Sequence, residues 1–179
     1  MFHPDTHALI DLWTALSRAA GPRATLPDRA SLRPDALGAR LTRVFMAERL
    51  GDDARMRLAG DWLEAFHDQP LTGVGLLSLW RSPSQAMVAA ALRQTVRECR
   101  PVIVVAAVGV GNPPVEVTLA PFRKGPAGDE HILGLYAPTA TLTLSAHTAH
   151  RLTARVSMAV GDALRPPLVL AAIDGRRIA

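Results

Sequence analysis

Residues 82–101 read SPSQAMVAAALRQTVRECRP, and the nine that follow read VIVVAAVGV. This stretch carries the clearest local signal in the chain. Ser82-Pro83-Ser84-Gln85 has the pattern of a capping box with proline at the first helical position. Behind it Met87, Ala91, Thr95 and Cys99 fall in one four-residue row, and Val88, Leu92 and Val96 fall in the next. That spacing predicts a long helix with one apolar stripe, with Arg93, Arg97 and Arg100 elsewhere on its surface. Arg100-Pro101 ends the helix, and the β-branched run after it predicts a strand covered on both faces.

On the C-terminal side, Gly111-Asn112-Pro113-Pro114 reads as a turn. Val115, Val117 and Leu119 then alternate with Glu116 and Thr118 in a further strand. Residues 124–129 read as a loop tip, and 132–137 as a last strand containing Gly134 and Tyr136. On the N-terminal side, strands are expected at 43–49 and 54–59 around the turn Gly51-Asp52-Asp53. In the second of them Ala54, Met56 and Leu58 alternate with Arg55 and Arg57, one dry face against one wet face. A short helix at 61–68 turns Trp62, Leu63 and Phe66 inward, Pro70 breaks it, and Leu71-Thr72-Gly73 forms a loop. Nearer the start, Thr6 is the expected N-cap of a helix over 5–20, with Leu9, Leu12, Trp13, Leu16 and Ala20 as its stripe and Gly21-Pro22 as its stop. Residues 22–35 form an extended, proline-fixed connector, and a short helix can begin after Pro34.

Strands grouped around a segregated helical segment indicate an α+β fold with an antiparallel sheet. Past Pro138, Leu152, Ala154, Val156 and Met158 fit either a strand or a helix, and a second apolar run occupies 168–173. The expected division is an N-terminal helix over 1–22, a central domain over 23–138 and an extension over 139–179.

Composition narrows the function. The chain has 179 residues, 49% apolar and only 4% aromatic, which suits one domain with an aliphatic core and disfavours a base-stacking platform. The net charge of +4 is spread as scattered arginines, without the clustering that a nucleic-acid or membrane surface needs. A single cysteine, Cys99, excludes an intrachain disulfide. The first residues lack the pattern of a signal peptide, and the longest apolar run is too short to cross a bilayer as a helix, so a cytoplasmic protein is expected.

Two strands, a cluster of short helices with one longer helix, then a three-stranded meander: this order resembles the PAS domain. Within that superfamily the chain is similar to the short, stand-alone PAS proteins of alphaproteobacteria. The residues that carry the resemblance are Arg23-Ala24-Thr25-Leu26-Pro27-Asp28-Arg29 with Pro34 downstream, Arg55-Met56-Arg57-Leu58-Ala59-Gly60, Leu71-Thr72-Gly73, and Arg100-Pro101, within a span of roughly 9–137. The chain departs from that pattern before Gly60, where Ala54 and Met56 stand in place of an aromatic residue, and past Pro138. The resemblance implies a PAS-like five-stranded antiparallel sheet with a helical insert and an N-terminal amphipathic helix. It also implies a small cavity between insert and sheet, and dimerisation through the first helix.

The expected cavity is lined by Met56, Leu58, Trp62, Phe66, Trp80, Met87 and Leu92, facing Ile103, Val105, Leu119 and Leu133. The competing reading is that these side chains fill a solid core. Leu9, Leu12, Trp13 and Leu16 are the expected dimer interface, unless they face their own sheet. His67 and His131 are the candidate haem ligands and Cys99 the candidate flavin-reactive thiol, and all three read better as structural residues. Neither His147 with His150 nor His3 with His7 has the further ligands a metal needs, so no metal and no cofactor is expected. There is no Gly-x-Ser-x-Gly elbow, and Gly109-Val110-Gly111 runs into Asn112-Pro113-Pro114, where no phosphate-binding helix can start. Arg55 and Arg57 read as a solvated face or as partners of Glu116. The expectation is a non-enzymatic, homodimeric regulatory module that binds a small ligand or a partner protein, with no membrane contact. A ligand-free adaptor is the alternative, and an arginine-based nucleic-acid binder a more distant one.

Overall fold

The computed structural model describes residues 2–21, 26–109, 113–123, 130–142 and 150–162, with the backbone at 172–173 and 176–177. One antiparallel sheet organises the chain. Its strands are β1 (Val44–Leu50), β2 (Asp53–Ala59), β3 (Val102–Ala107), β4 (Val115–Arg123), β5 (Glu130–Pro138) and β6 (Thr153–Ala159), in the order β2-β1-β5-β4-β3-β6. The five expected strands form one layer, and the tail adds a sixth. The ambiguous alternation past residue 150 resolves as a strand because the free edge of β3 accepts it. The turn at 110–112, the loop tip at 124–129 and the run at 168–171 lie outside the described residues.

Helix α1 (Pro4–Ala19) packs on one face of the sheet, here called the outer face. It begins earlier than expected. Proline is tolerated in a first helical turn, so His3 is the cap, its Nδ1 accepting from the Asp5 amide at 3.1 Å, and Thr6 is buried inside the helix. Asp5 takes ion pairs from Arg40 (2.8 Å) and Arg43 (2.6 Å), and these cations hold its carboxyl below the usual range against the opposing effect of burial. The His3 amide donates to both oxygens of Glu116, at 3.1 and 3.0 Å. Glu116 is therefore committed to the N-terminus and not to Arg55 or Arg57. Arg57 pairs with Glu48 instead, on the adjacent strand.

The inner face is covered by α2 (Asp61–His67), a 3-10 turn at Leu76–Leu79 and α3 (Ser82–Glu98). The capping box at Ser82 does not form. Arg81 is the N-cap without a side-chain bond, Gln85 Nε2 donates to the Trp80 carbonyl, and buried Ser84 Oγ accepts the Ala154 amide at 2.9 Å. The cap falls one residue before the expected one, so Ser82 lies inside the first turn of the helix, while the Ser84 hydroxyl is spent on β6. The tail is fixed at three further points, with the Leu152 amide donating to Leu79, Arg81 to Leu152, and His150 to Phe66. Cys99 closes α3 in a left-handed conformation and belongs to the outer cluster, out of its expected row.

Two close approaches demand glycine. A β-carbon at Gly134 would enter the Phe45 ring, which lies across β5. One at Gly60 would meet the carbonyls of Leu41 and Thr42, where the linker before β1 passes under the end of β2.

Candidate functional site

The sheet register decides which expected residues meet. Directly opposed residues share a face, and Met46 opposes Leu58 while Ala47 opposes Met56. Two steps on β2 thus match one step on β1, and Arg57 is the extra residue of a bulge. A one-residue slip turns a strand over. Met56 accordingly points to the inner cluster, whereas Leu58 is carried to the outer face, where it is 59% exposed. The expected alternation of Ala54, Met56 and Leu58 on one dry face fails at that bulge.

The eleven residues expected to line one cavity are split between faces. Met56, Phe66, Trp80, Leu92 and Leu119 are buried together on the inner side, with Trp62 packed against them. Leu133 belongs to the outer cluster with Leu9, Trp13 and Phe122. Ile103 opposes Thr118, which opposes Leu135 of the outer cluster, so Ile103 and Val105 face outward as well. Met87 sits on α3 at 36% exposure. The inner side is densely filled: Phe45, Phe66, Trp80 and Tyr136 are fully buried, with Trp62 stacked on Phe66 at 5.1 Å. Trp80 Nε1 is buried with no acceptor among the described residues.

Of the expected dimer residues, Leu9 and Trp13 are buried inside their own chain. The Trp13 indole donates to the Pro121 carbonyl at 2.7 Å, fixing α1 to β4. Leu12 and Leu16 pack against the same cluster and keep partial exposure.

His67 is a structural residue here. A carbonyl can only accept, so the 2.7 Å contact of Nδ1 with the His150 oxygen puts the proton on Nδ1. Nε2 then accepts from the Tyr136 hydroxyl at 3.2 Å. Burial lowers the His67 pKa to about 4, keeping the ring neutral, and it raises that of Tyr136. Both nitrogens are committed, so in this arrangement neither can ligate haem iron. His131 is buried on β5, and His147 lies outside the described residues.

An open, apolar concave space lies on the outer face. Two 3-10 segments of the linker, Arg29–Ser31 and Pro34–Arg43, run beside β1 and the end of β2 and leave a groove of about 540 Å³. Its walls are mainly aliphatic: Leu37 and Leu41 from the linker, Met46 from β1, Leu58 from β2 and Leu133 from β5. Leu41, 43% exposed, and Leu58 present apolar surface to solvent there. The linker's near end is held by Arg123, whose amide and Nε donate to the carbonyls of Pro27 and Leu26, both at 3.1 Å. Only Leu58 and Leu133 of the expected ligand residues line this groove. The linker leucines read as a connector, and a bulge leaves no mark on hydrophobic alternation.

A family model described as the PAS domain matches residues 1–137 of the chain. The chain belongs to the PAS family. The match takes in α1 and stops at the end of β5, so β6 and the strap at 150–152 lie beyond the matched PAS region. PAS domains are in general signal-sensing or regulatory modules without catalytic activity. No curated protein matches the chain significantly. Among the described residues of this PAS protein no helix is long and apolar enough to cross a membrane.

Proposed function

We propose that this chain is a non-enzymatic, cytoplasmic PAS-type regulatory module whose small ligand is received in the outer groove. The observation that supports it is the bulge that turns Leu58 over to face the linker, building an apolar concavity of about 540 Å³. Spaces of roughly 300–1,000 Å³ with apolar walls and few polar groups are typical of small-molecule sites. A homodimer belongs to the same proposal, with Leu12 and Leu16 as the α1 residues still able to meet a sister chain. Light scattering measures it.

The ligand test is native mass spectrometry of the purified chain, with melting curves across a metabolite panel. At a hundredfold excess over Kd, a ligand adds about 2.7 kcal/mol to the folded state, a rise of several degrees in Tm. The reading requires that Leu58→Glu, at an exposed position, abolish the shift without lowering the unliganded Tm. A panel that moves nothing, together with a clean apo mass, would favour the ligand-free adaptor.

A second reading places the ligand between insert and sheet, and one observation favours it: the buried Trp80 indole has no acceptor among the described residues. Buried donors almost always have partners, so an acceptor beside Trp80 would explain it. A ligand shift lost in Trp80→Phe but kept in Leu58→Glu would establish this inner site.

A further inference from the structure

We infer that the groove takes an anionic amphiphile, a molecule with one negatively charged head on an apolar body; the inference rests on the outer-groove reading above. Among the described residues that line the groove, Arg29 is the only cation. It is partly buried, and its guanidinium makes no ion pair and no hydrogen bond with any described residue. The other described cations of the linker are already committed: Arg33 to Asp35 at 3.2 Å, Arg40 to Asp5 at 2.8 Å and Arg43 to Asp5 at 2.6 Å. The one acid in the lining, Asp28, caps its own 3-10 turn, Oδ1 accepting the Ala30 amide at 2.9 Å. Among the described lining residues the groove therefore offers one guanidinium with every donor free, beside a carboxylate whose Oδ1 is held in its cap.

A guanidinium half withdrawn from water recognises carboxylate or phosphate through a pair of parallel hydrogen bonds. The rest of the wall, Leu37, Leu41, Met46, Leu58 and Leu133, offers a polar body nothing to bond with and rewards burial of hydrocarbon. A wholly apolar ligand would leave the partly buried Arg29 without an acceptor, and a cationic one would set its charge against that guanidinium. An acyl or aryl carboxylate or phosphate satisfies both ends.

Calorimetry and melting curves on the full chain test this with ten-carbon probes kept below micelle formation: decanoate, decyl phosphate, decanol and decyltrimethylammonium. The expected result is that decanoate or decyl phosphate binds at least about tenfold tighter than decanol, the margin of one charged hydrogen-bonded contact. Comparing the two anions tells a carboxylate ligand from a phosphate one, and the ammonium should not bind. Arg29→Gln, on a turn where the side chain has no described partner, should bring the anions down to the affinity of decanol, and Leu58→Glu should weaken every probe. Equal binding of anion, alcohol and ammonium, or a preference that survives Arg29→Gln, overturns the inference and leaves the groove reading standing. Failure of all four probes to bind overturns both.

Discussion

Acidification should unlock the fold through His67. In the native state its ring is buried between Phe66, Tyr136 and the His150 carbonyl, and burial brings its pKa from 6.5 down to about 4; the bond to the carbonyl opposes this and loses. In the unfolded chain the imidazole titrates near 6.5. Between these values the unfolded state binds the extra proton, so stability rises with pH and is lost as pH falls toward 4. Linkage with those two pKa values gives a loss of about 2 kcal/mol between about pH 7.5 and pH 5, levelling at about 3 kcal/mol below both. Urea unfolding followed by tryptophan fluorescence measures it, since Trp62 stacks on the adjacent Phe66. The comparison is His67→Gln, which does not titrate but can still donate to the His150 carbonyl. Asp5 and Glu98, whose arginine partners hold their pKa values down, also destabilise the fold in acid, but equally in both proteins. The wild type should lose about 2 kcal/mol more than the variant over that interval. Parallel loss in the two would show that His67 is not a buried neutral group.

Leu152→Ala, at a fully buried residue of the tail, should cost about 2–5 kcal/mol in urea unfolding, because it empties a site in the inner core. A loss as small as that of an exposed leucine would mean that the strap does not close the core. Gly134→Ala should lower Tm by an overpacking penalty of about 1–3 kcal/mol, since the new methyl group enters the Phe45 ring. Phe45→Leu in the same chain should recover part of it. Trp13→Phe removes the donor to the Pro121 carbonyl and should cost about 1–3 kcal/mol by denaturant unfolding; an unchanged midpoint would show that α1 is not held to β4 by that bond.

The fold was legible where sequence pattern and tertiary demand agree. The β-branched run at 102–107 and the alternation around Val115 became neighbouring strands, as their spacing predicts, although β4 is buried on both faces and its Glu116 and Thr118 are covered as well. The short helix at 61–67 turned Leu63 and Phe66 inward as its spacing required. Legibility failed where a distant partner outbid a local signal. Arg81 takes the cap position ahead of Ser82 while Ser84 is held by β6, and Glu116 serves the His3 amide instead of an arginine. The candidate site was least legible of all, because it depends on one residue of register: Arg55, Met56, Arg57 and Leu58 alternate as an unbroken strand would, and the bulge becomes visible only once Met46 and Ala47 stand opposite.

That same bulge bears on how occupancy could be felt elsewhere. The groove's wall opposite the sheet is the linker, fixed at one end by the bridge between Asp28 and Arg123 and at the other by the Gly60 amide on the Val44 carbonyl. Between these points its contacts to α1 include the ion pairs of Arg40 and Arg43 with Asp5, in the first turn of the helix. The inner core offers a poorer route, since large side chains there are interlocked and fully buried. A ligand shifts a conformational equilibrium only by its differential affinity for the two states. Under the proposed function, a ligand that shifted the linker would act, through Asp5, first on α1. Its half-exposed Leu12 and Leu16 would then present a different surface to a sister chain or a partner, without any rearrangement between sheet and insert.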